Sequence, residues 1–370
     1  LLSVFVVAVV FSNKDYGIPN WTCDAEVMKK SKTVPKSVHS LRFADIDIIA
    51  AMGDSLTAGN GAGAQPNDPV AVLIQYRGLV FSVGGDMDLD QHVSLANIMK
   101  KFNPKLFGFS TGTGSANVWE TSKLNAGVPG AASYDLIGQA NDLIRRMRDH
   151  PEIDEKNQWK LIHIFIGAND MCDWCTNQDT EAPTQFRDNL QRAIQILKDN
   201  LPRTIVVLVG MLDMSLLRTI DQGLMFCDKL HSFECPCEQN YGFSNEQISA
   251  TCKQYMQREQ ELQDGRFDTS DDFTLVIQPF FEDVTTPPLT PEGDPDLSFF
   301  APDCFHFSQY GHAVVGKNLW NNILQPVGSK STVANLTDLT LPLNCPDKTC
   351  PFIRTTKNSE DCSKYMTPSA

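Results

Sequence analysis

Four apolar runs of strand length recur along the chain, separated by segments of helical periodicity. They are "DIDIIAAMG" (45–53), "KLIHIFIGA" (160–168), "TIVVLVGML" (204–212) and "FTLVIQPFF" (273–281). Each is rich in β-branched residues and bounded by turn formers or charges, the pattern of strands buried on both faces. Between them, "SYDLIGQANDLIRRMRDH" sets Leu136, Ile137, Ala140, Leu143, Ile144 and Met147 on one helical face. "TQFRDNLQRAIQILKDN" does the same with Phe186, Leu190, Ala193, Ile194 and Leu197. The helical pattern returns in 245–263 and in "YGHAVVGKNLWNNILQPV". Such alternation predicts an α/β fold, a mostly parallel sheet covered by helices on both faces.

Composition narrows the function before any motif is read. The 370 residues carry a net charge of −14 with no Lys/Arg-rich block. Nucleic-acid binding rests on phosphate neutralisation and is not expected; attraction to anionic membranes is disfavoured for the same reason. The opening "LLSVFVVAVVFS" is too short to span a bilayer and suits the apolar region of a secretory signal over residues 1–12. An uncleaved N-terminal segment holding the chain to a membrane is the alternative. Eleven cysteines and the sequons at Asn20 and Asn335 agree with a secreted, extracellular glycoprotein, and the odd cysteine count leaves one thiol without a partner in the chain. One catalytic-size domain is expected over 35–327, followed by a polar Cys-containing tail, 328–370, with no C-terminal membrane anchor.

Several residues could carry chemistry. Ser55 follows the first predicted strand in Gly53-Asp54-Ser55-Leu56, where the carboxyl edge of a parallel sheet gathers functional groups. A serine hydroxyl needs a hydrogen-bonded base to attack; alone, a Gly-Asp-Ser serine is more commonly a turn residue capping the next helix. Asn169, in Gly167-Ala168-Asn169-Asp170 after the second strand, would emerge on the same edge and could donate to an oxyanion. Asp303 and His306 stand three apart in "APDCFHFSQYGHA". A carboxylate at that spacing can fold back onto imidazole Nδ1 and leave Nε2 for the serine proton. Gly130, before a helix, offers a backbone amide as a second oxyanion donor. His312 reads as a packing or capping residue, and His163 as a satisfied core histidine.

In this order these residues resemble the GDSL, or SGNH, hydrolase superfamily. Longer strings, "GDSLTAGNGAGA", "QYRGLVFSVGGD", "LANIMKKFNP", "FIGANDMCDWC", "QPFFEDV" and "FFAPDCFHFS", resemble the catalytic repeat of membrane-associated phospholipase B over roughly residues 35–355. The resemblance implies a flavodoxin-like three-layer α/β/α sandwich with Ser55 as nucleophile and Asp303 and His306 as acid and base. It implies an oxyanion hole from the amides of Ser55 and Gly130 and the side chain of Asn169, with no metal or other cofactor. The implied reaction is hydrolysis of acyl esters in phospholipids and lysophospholipids at membrane or micelle surfaces. Retinyl esters, acylglycerols or acylated sugars are the alternative substrates. A non-catalytic lipid-binding protein on the same scaffold is the remaining reading, disfavoured because every chemical position is occupied.

Other signals read more plainly. Cys172 and Cys175 lack the second half of a zinc site and are expected in disulfides. Asp86, Asp88 and Asp90 alternate like a calcium loop, but Gln91 stands where the sharp-turn glycine belongs, so they are expected on a solvated strand face. Gly59, Gly61 and Gly63 lack the Gly-Lys-Ser/Thr ending of a phosphate loop, and no nucleotide is expected. Phe299, Phe300, Phe305 and Phe307 flank the acid and base; an acyl groove and plain core packing account for them equally.

Overall fold

The computed structural model describes residues 16–177, 179–221, 225–338 and 340–366. The segment expected to be a signal, 1–12, lies outside the described residues. The four apolar runs form β1 (Ile46–Gly53), β2 (Trp159–Phe165), β3 (Thr204–Val209) and β4 (Phe273–Gln278). They make one parallel sheet in the order β1-β2-β3-β4. All residues of β2, β3 and β4 are buried, as strands covered on both faces must be.

Stepping across the sheet in one direction with crossovers of the usual right hand puts every connecting helix on the same face. Helices Leu136–Asp149, Pro183–Asn200 and Asn245–Gln260 make these connections and pack side by side in one layer. From β1 the chain first goes the other way. Helix Leu95–Phe102 leads to bridges at Phe107 and Asn125 on the free edge of β1, and it packs against helix Gln309–Ile323, which lies on β4. The result is a three-layer α/β/α fold whose chain direction reverses between β1 and β2, the place where open α/β sheets bind ligands. Gly53, Phe165, Val209 and Gln278 stand in one row across the ladder, so the loops that follow all four strands leave at one level.

Ten cysteines pair as Cys23–Cys345, Cys172–Cys235, Cys175–Cys237, Cys227–Cys304 and Cys350–Cys362, and Cys252 is a buried free thiol. Cys172 and Cys175 are thus both in disulfides. The segment after 327 lies on the domain, with Leu336, Leu343 and Ile353 buried in the main core. Two expectations need correction. Asp86, Asp88 and Asp90 lie on bends and turns, not a strand: Asp86 accepts from the Gly112 amide, Asp88 from the Asp90 amide, and Asp90 pairs with Lys101. Asp88 closes a local turn while Asp86 and Asp90 reach residues 26 and 11 positions away, contacts that alternation alone could not distinguish from a strand face. His163 is in the core, but neither ring nitrogen has a hydrogen-bond partner there. Burial pushes its pKa down to about 3, so the ring sits as a neutral aromatic edge-on to Phe81.

Candidate active site

β1 ends at Gly53, where any side chain would lie 2.2 Å from the Phe165 carbonyl oxygen. Only glycine lets β1 and β2 approach this closely before the chain turns. The turn is held from the neighbouring layer. Gln139 accepts from the Gly53 amide at 2.8 Å and donates to the Gly53 carbonyl at 2.9 Å. Asp54 then caps the short helix Ser55–Ala58 by accepting from the Leu56 amide, leaving Ser55 at the first helical position. The Ser55 amide is therefore among the N-terminal donors that the helix itself cannot use.

Asp303 and His306 arrive on a tight loop closed by the Phe300–Phe307 bridge. Asp303 Oδ1 accepts from the amides of Phe305 and His306, each at 3.0 Å. That local turn is what the three-residue spacing encodes. Oδ2 is left for His306 Nδ1 at 2.5 Å, and His306 Nε2 lies 2.7 Å from Ser55 Oγ. Ser55, His306 and Asp303 are 7%, 6% and 0% exposed, so the chain of bonds is shielded from water yet reachable at the serine end. Burial alone would lower the His306 pKa, but the Asp303 carboxylate, by charge and hydrogen bond, holds it above its ordinary value. Burial likewise pushes the Asp303 carboxyl up, and the imidazole more than reverses this. A hydroxyl donating to an imidazole fixed by a carboxylate is an arrangement that can deprotonate the serine as it attacks.

The other expected donors border this site on different elements. Gly130 (φ 77°) is exposed, and its amide makes no bond among the described residues. Asn169 opens helix Ala168–Asp173 and donates through Nδ2 to the Ala131 carbonyl at 2.8 Å. The neighbouring Asp170, fully buried, accepts from the Ser133 amide at 2.9 Å. The two side chains therefore fasten the loop carrying Gly130 to the end of β2. His312 lies in helix Gln309–Ile323, where its Nδ1 accepts from the Phe81 amide, and burial pushes its pKa down to about 3. It is a packing residue, as expected.

A narrow apolar pocket of about 40 Å³ is lined by Leu56 and Phe305, the chain neighbours of Ser55 and His306. Leu56, Ala168 and Met211 line it from the loops after β1, β2 and β3, and Phe299, Phe300, Phe305 and Phe307 close the opposite side. Phe299 is also wholly buried against Phe307 and Tyr310, so groove wall and core packing coincide there. Two clusters bring three metal-capable side chains within 4.8 Å, Glu234–Asp303–His306 and Asp221–His231–Glu238. In each, the histidine Nδ1 already donates to an aspartate, so a proton occupies the place a cation would need. Gln139, Asp170, His231 and Glu234 escape sequence reading as site residues. Only Asp170, beside Asn169 in the Gly-x-Asn-Asp string, carried any local signal.

Residues 49–319 match the model of the GDSL-like lipase/acylhydrolases. The chain belongs to this family. Within the GDSL-like family, membrane-associated phospholipase B1 of Rattus norvegicus is 45% identical over 336 residues, 89% of this chain. The proteins of that name from Mus musculus and Homo sapiens are 44% and 45% identical over the same share. The chain spans less than a quarter of their length, 22–23%. A solved Streptococcus pneumonia structure described as a platelet activating factor covers 75% of the chain, and 83% of its own, at 17% identity and a TM-score of 0.34, too remote to carry an argument. Among the described residues no helix is long and apolar enough to cross a membrane.

Proposed function

We propose that the chain is a serine esterase that releases fatty acids from phospholipids and lysophospholipids, a phospholipase B activity. The observation that carries this reading is the bonded series Ser55–His306–Asp303, whose chain neighbours Leu56 and Phe305 line an apolar pocket. The relatives named phospholipase B1 support the choice of substrate. In this reading His306 takes the Ser55 proton as the hydroxyl attacks the ester carbonyl. The developing oxyanion is met by the amides of Ser55 and Gly130 and by Asn169 Nδ2, the acyl tail lying along Phe300 and Phe305. Collapse yields an acyl-enzyme and releases the alcohol after protonation by His306. Water, deprotonated by the same ring, then frees the fatty acid. Proton transfer contributes about 10²–10⁴-fold and an oxyanion donor about 10²–10³-fold. The five disulfides and the exposed sequon asparagines Asn20 and Asn335 support a secreted glycoprotein.

The test is fatty-acid release from diacyl phosphatidylcholine and from lysophosphatidylcholine, with a chelator present. Release from both is expected. Folded protein that cleaves neither, while hydrolysing another ester, would overturn the substrate assignment.

A further inference from the structure

Cys227, His231 and Glu234 stand at positions i, i+4 and i+7 of helix Met225–Glu234, on one face. That face lies against the loop that carries Asp303 and His306. Cys227 is bonded to Cys304, the residue after the aspartate. His231 Nε2 lies 2.9 Å from the Asp303 carbonyl oxygen. The Glu234 carboxylate comes within 4.8 Å of the Asp303 carboxylate and the His306 ring. On its far side His231 Nδ1 meets Asp221 Oδ2 at 2.9 Å, and that oxygen also accepts from Gln239 at 2.7 Å.

Both nitrogens of His231 thus face oxygen acceptors, and both bonds exist only if the ring carries two protons. The groups around it favour that charge. Asp221 faces it from the loop after helix Leu217–Ile220, and Glu238 of helix Pro236–Gln239 lies 3.9 Å away with Arg218 behind it. Glu234 lies one turn on in its own helix, and Asp303 beyond its carbonyl. Burial would lower the His231 pKa; the Asp221 hydrogen bond and charge hold it above the ordinary value.

We propose that Asp221 and His231 form a second, buried acid–histidine pair that positions Asp303 for its bond to His306. The proposal rests on the serine reading above and adds to it a cause of the acid's alignment. Cys304 has φ 61°, a left-handed conformation that residues other than glycine seldom hold unaided. The loop is therefore fixed from outside, by a covalent bond at residue 304 and a charged hydrogen bond at the carbonyl of residue 303. Such bonds are shorter and stronger than neutral ones. Without the His231 bond the Asp303 carboxylate keeps only its local amide bonds, the loop can shift against helix Met225–Glu234, and the Oδ2–Nδ1 contact that makes His306 basic loosens. Asp221 and His231 touch no substrate and act through Asp303.

The test is labelling of Ser55 by a small fluorophosphonate, located by peptide mass and followed across pH, in wild type, Asp221→Asn and His231→Gln. Asp221→Asn removes the negative charge and lets His231 drop its proton. The net charge at the pair is unchanged, so a move in the pH profile reports geometry. The expected result is labelling about 10- to 100-fold slower, the range a small misplacement of catalytic groups produces. The acid limb moves to lower pH, because His306 is no longer held by Asp303, while unfolding stays cooperative. Folded variants that label at the wild-type rate, or more slowly with an unmoved acid limb, would overturn the proposal and leave His231 a structural residue. If His231→Gln does not fold, the isosteric Asp221→Asn decides alone. Wild-type protein that does not label at Ser55 would overturn the serine reading first, and this proposal with it.

Discussion

At the residue scale, the proposed chemistry turns on how one carboxylate divides its oxygens. Asp303 Oδ1 holds its own loop together, and Oδ2 holds the imidazole. Asp303→Asn keeps the shape but can donate to Nδ1, favouring the tautomer that cannot take the serine proton. A fall in kcat of about 10⁴ with little change in KM is expected, read by steady-state hydrolysis of a soluble short-chain ester. The sign of the pH dependence follows from His306. In the proposed mechanism the ring must be neutral to act, and Asp303 holds its pKa above the ordinary histidine value. Activity is therefore lost as pH falls through a point above about 6.5, the unperturbed value. A kcat/KM profile flat well below that point would contradict the geometry. The Asp-x-x-His spacing made this pair legible in the sequence, because both partners belong to one turn. Gln139 and His231 were not legible, since they meet Gly53 and Asp303 across 86 and 72 residues with no periodicity linking them.

At the element scale, the strands and the long helices were readable because burial on two faces and on one helical stripe leaves strong periods. The expected strands ran past the structural ends by up to three residues, at 166–168, 210–212 and 279–281. The apolar pattern continues there into the loops that line the cavity, so the same residue types mark strand core and site wall. The helices around 217–239 were missed: they are short, and disulfides at Cys227, Cys235 and Cys237 replace the apolar stripe that would have marked them. The Phe299–Phe307 segment combines packing and groove, and burial separates its members. Phe299 is 0% exposed and Phe300 9%, with Phe300 at the cavity wall. Phe299→Ala should cost about 3–5 kcal/mol of stability by chemical denaturation. Phe300→Ala should keep the fold and raise KM for long-chain esters more than for short-chain ones. Equal effects on both chain lengths would remove Phe300 from the acyl path.

At the scale of the whole molecule, the site is a consequence of topology. Reversal of chain direction between β1 and β2 opens a crevice at their carboxyl ends, and all four strands end in one row, so Leu56, Ala168 and Met211 line one pocket there. The segments before β1 and after residue 327 brace this sheet from outside. Trp21 packs on Trp320, Ile353 bonds to Leu41, and Cys23–Cys345 joins points 322 residues apart. Replacing both Cys23 and Cys345 by serine should lower stability by about 2–5 kcal/mol in denaturant titrations. The rate of Ser55 labelling should stay as in wild type, because the bond lies away from the catalytic loop. A large loss of labelling in the folded variant would show that this clasp reaches the site.

In the proposed reaction the acyl group passes through Ser55. The most direct measurement is the mass of the Ser55 peptide after acid quench of the enzyme turning over lysophosphatidylcholine. The expected result is a peptide heavier by one acyl group in wild type, and neither that adduct nor fatty-acid release in Ser55→Ala. Steady turnover by folded Ser55→Ala protein, or an acyl group found on another residue, would contradict it.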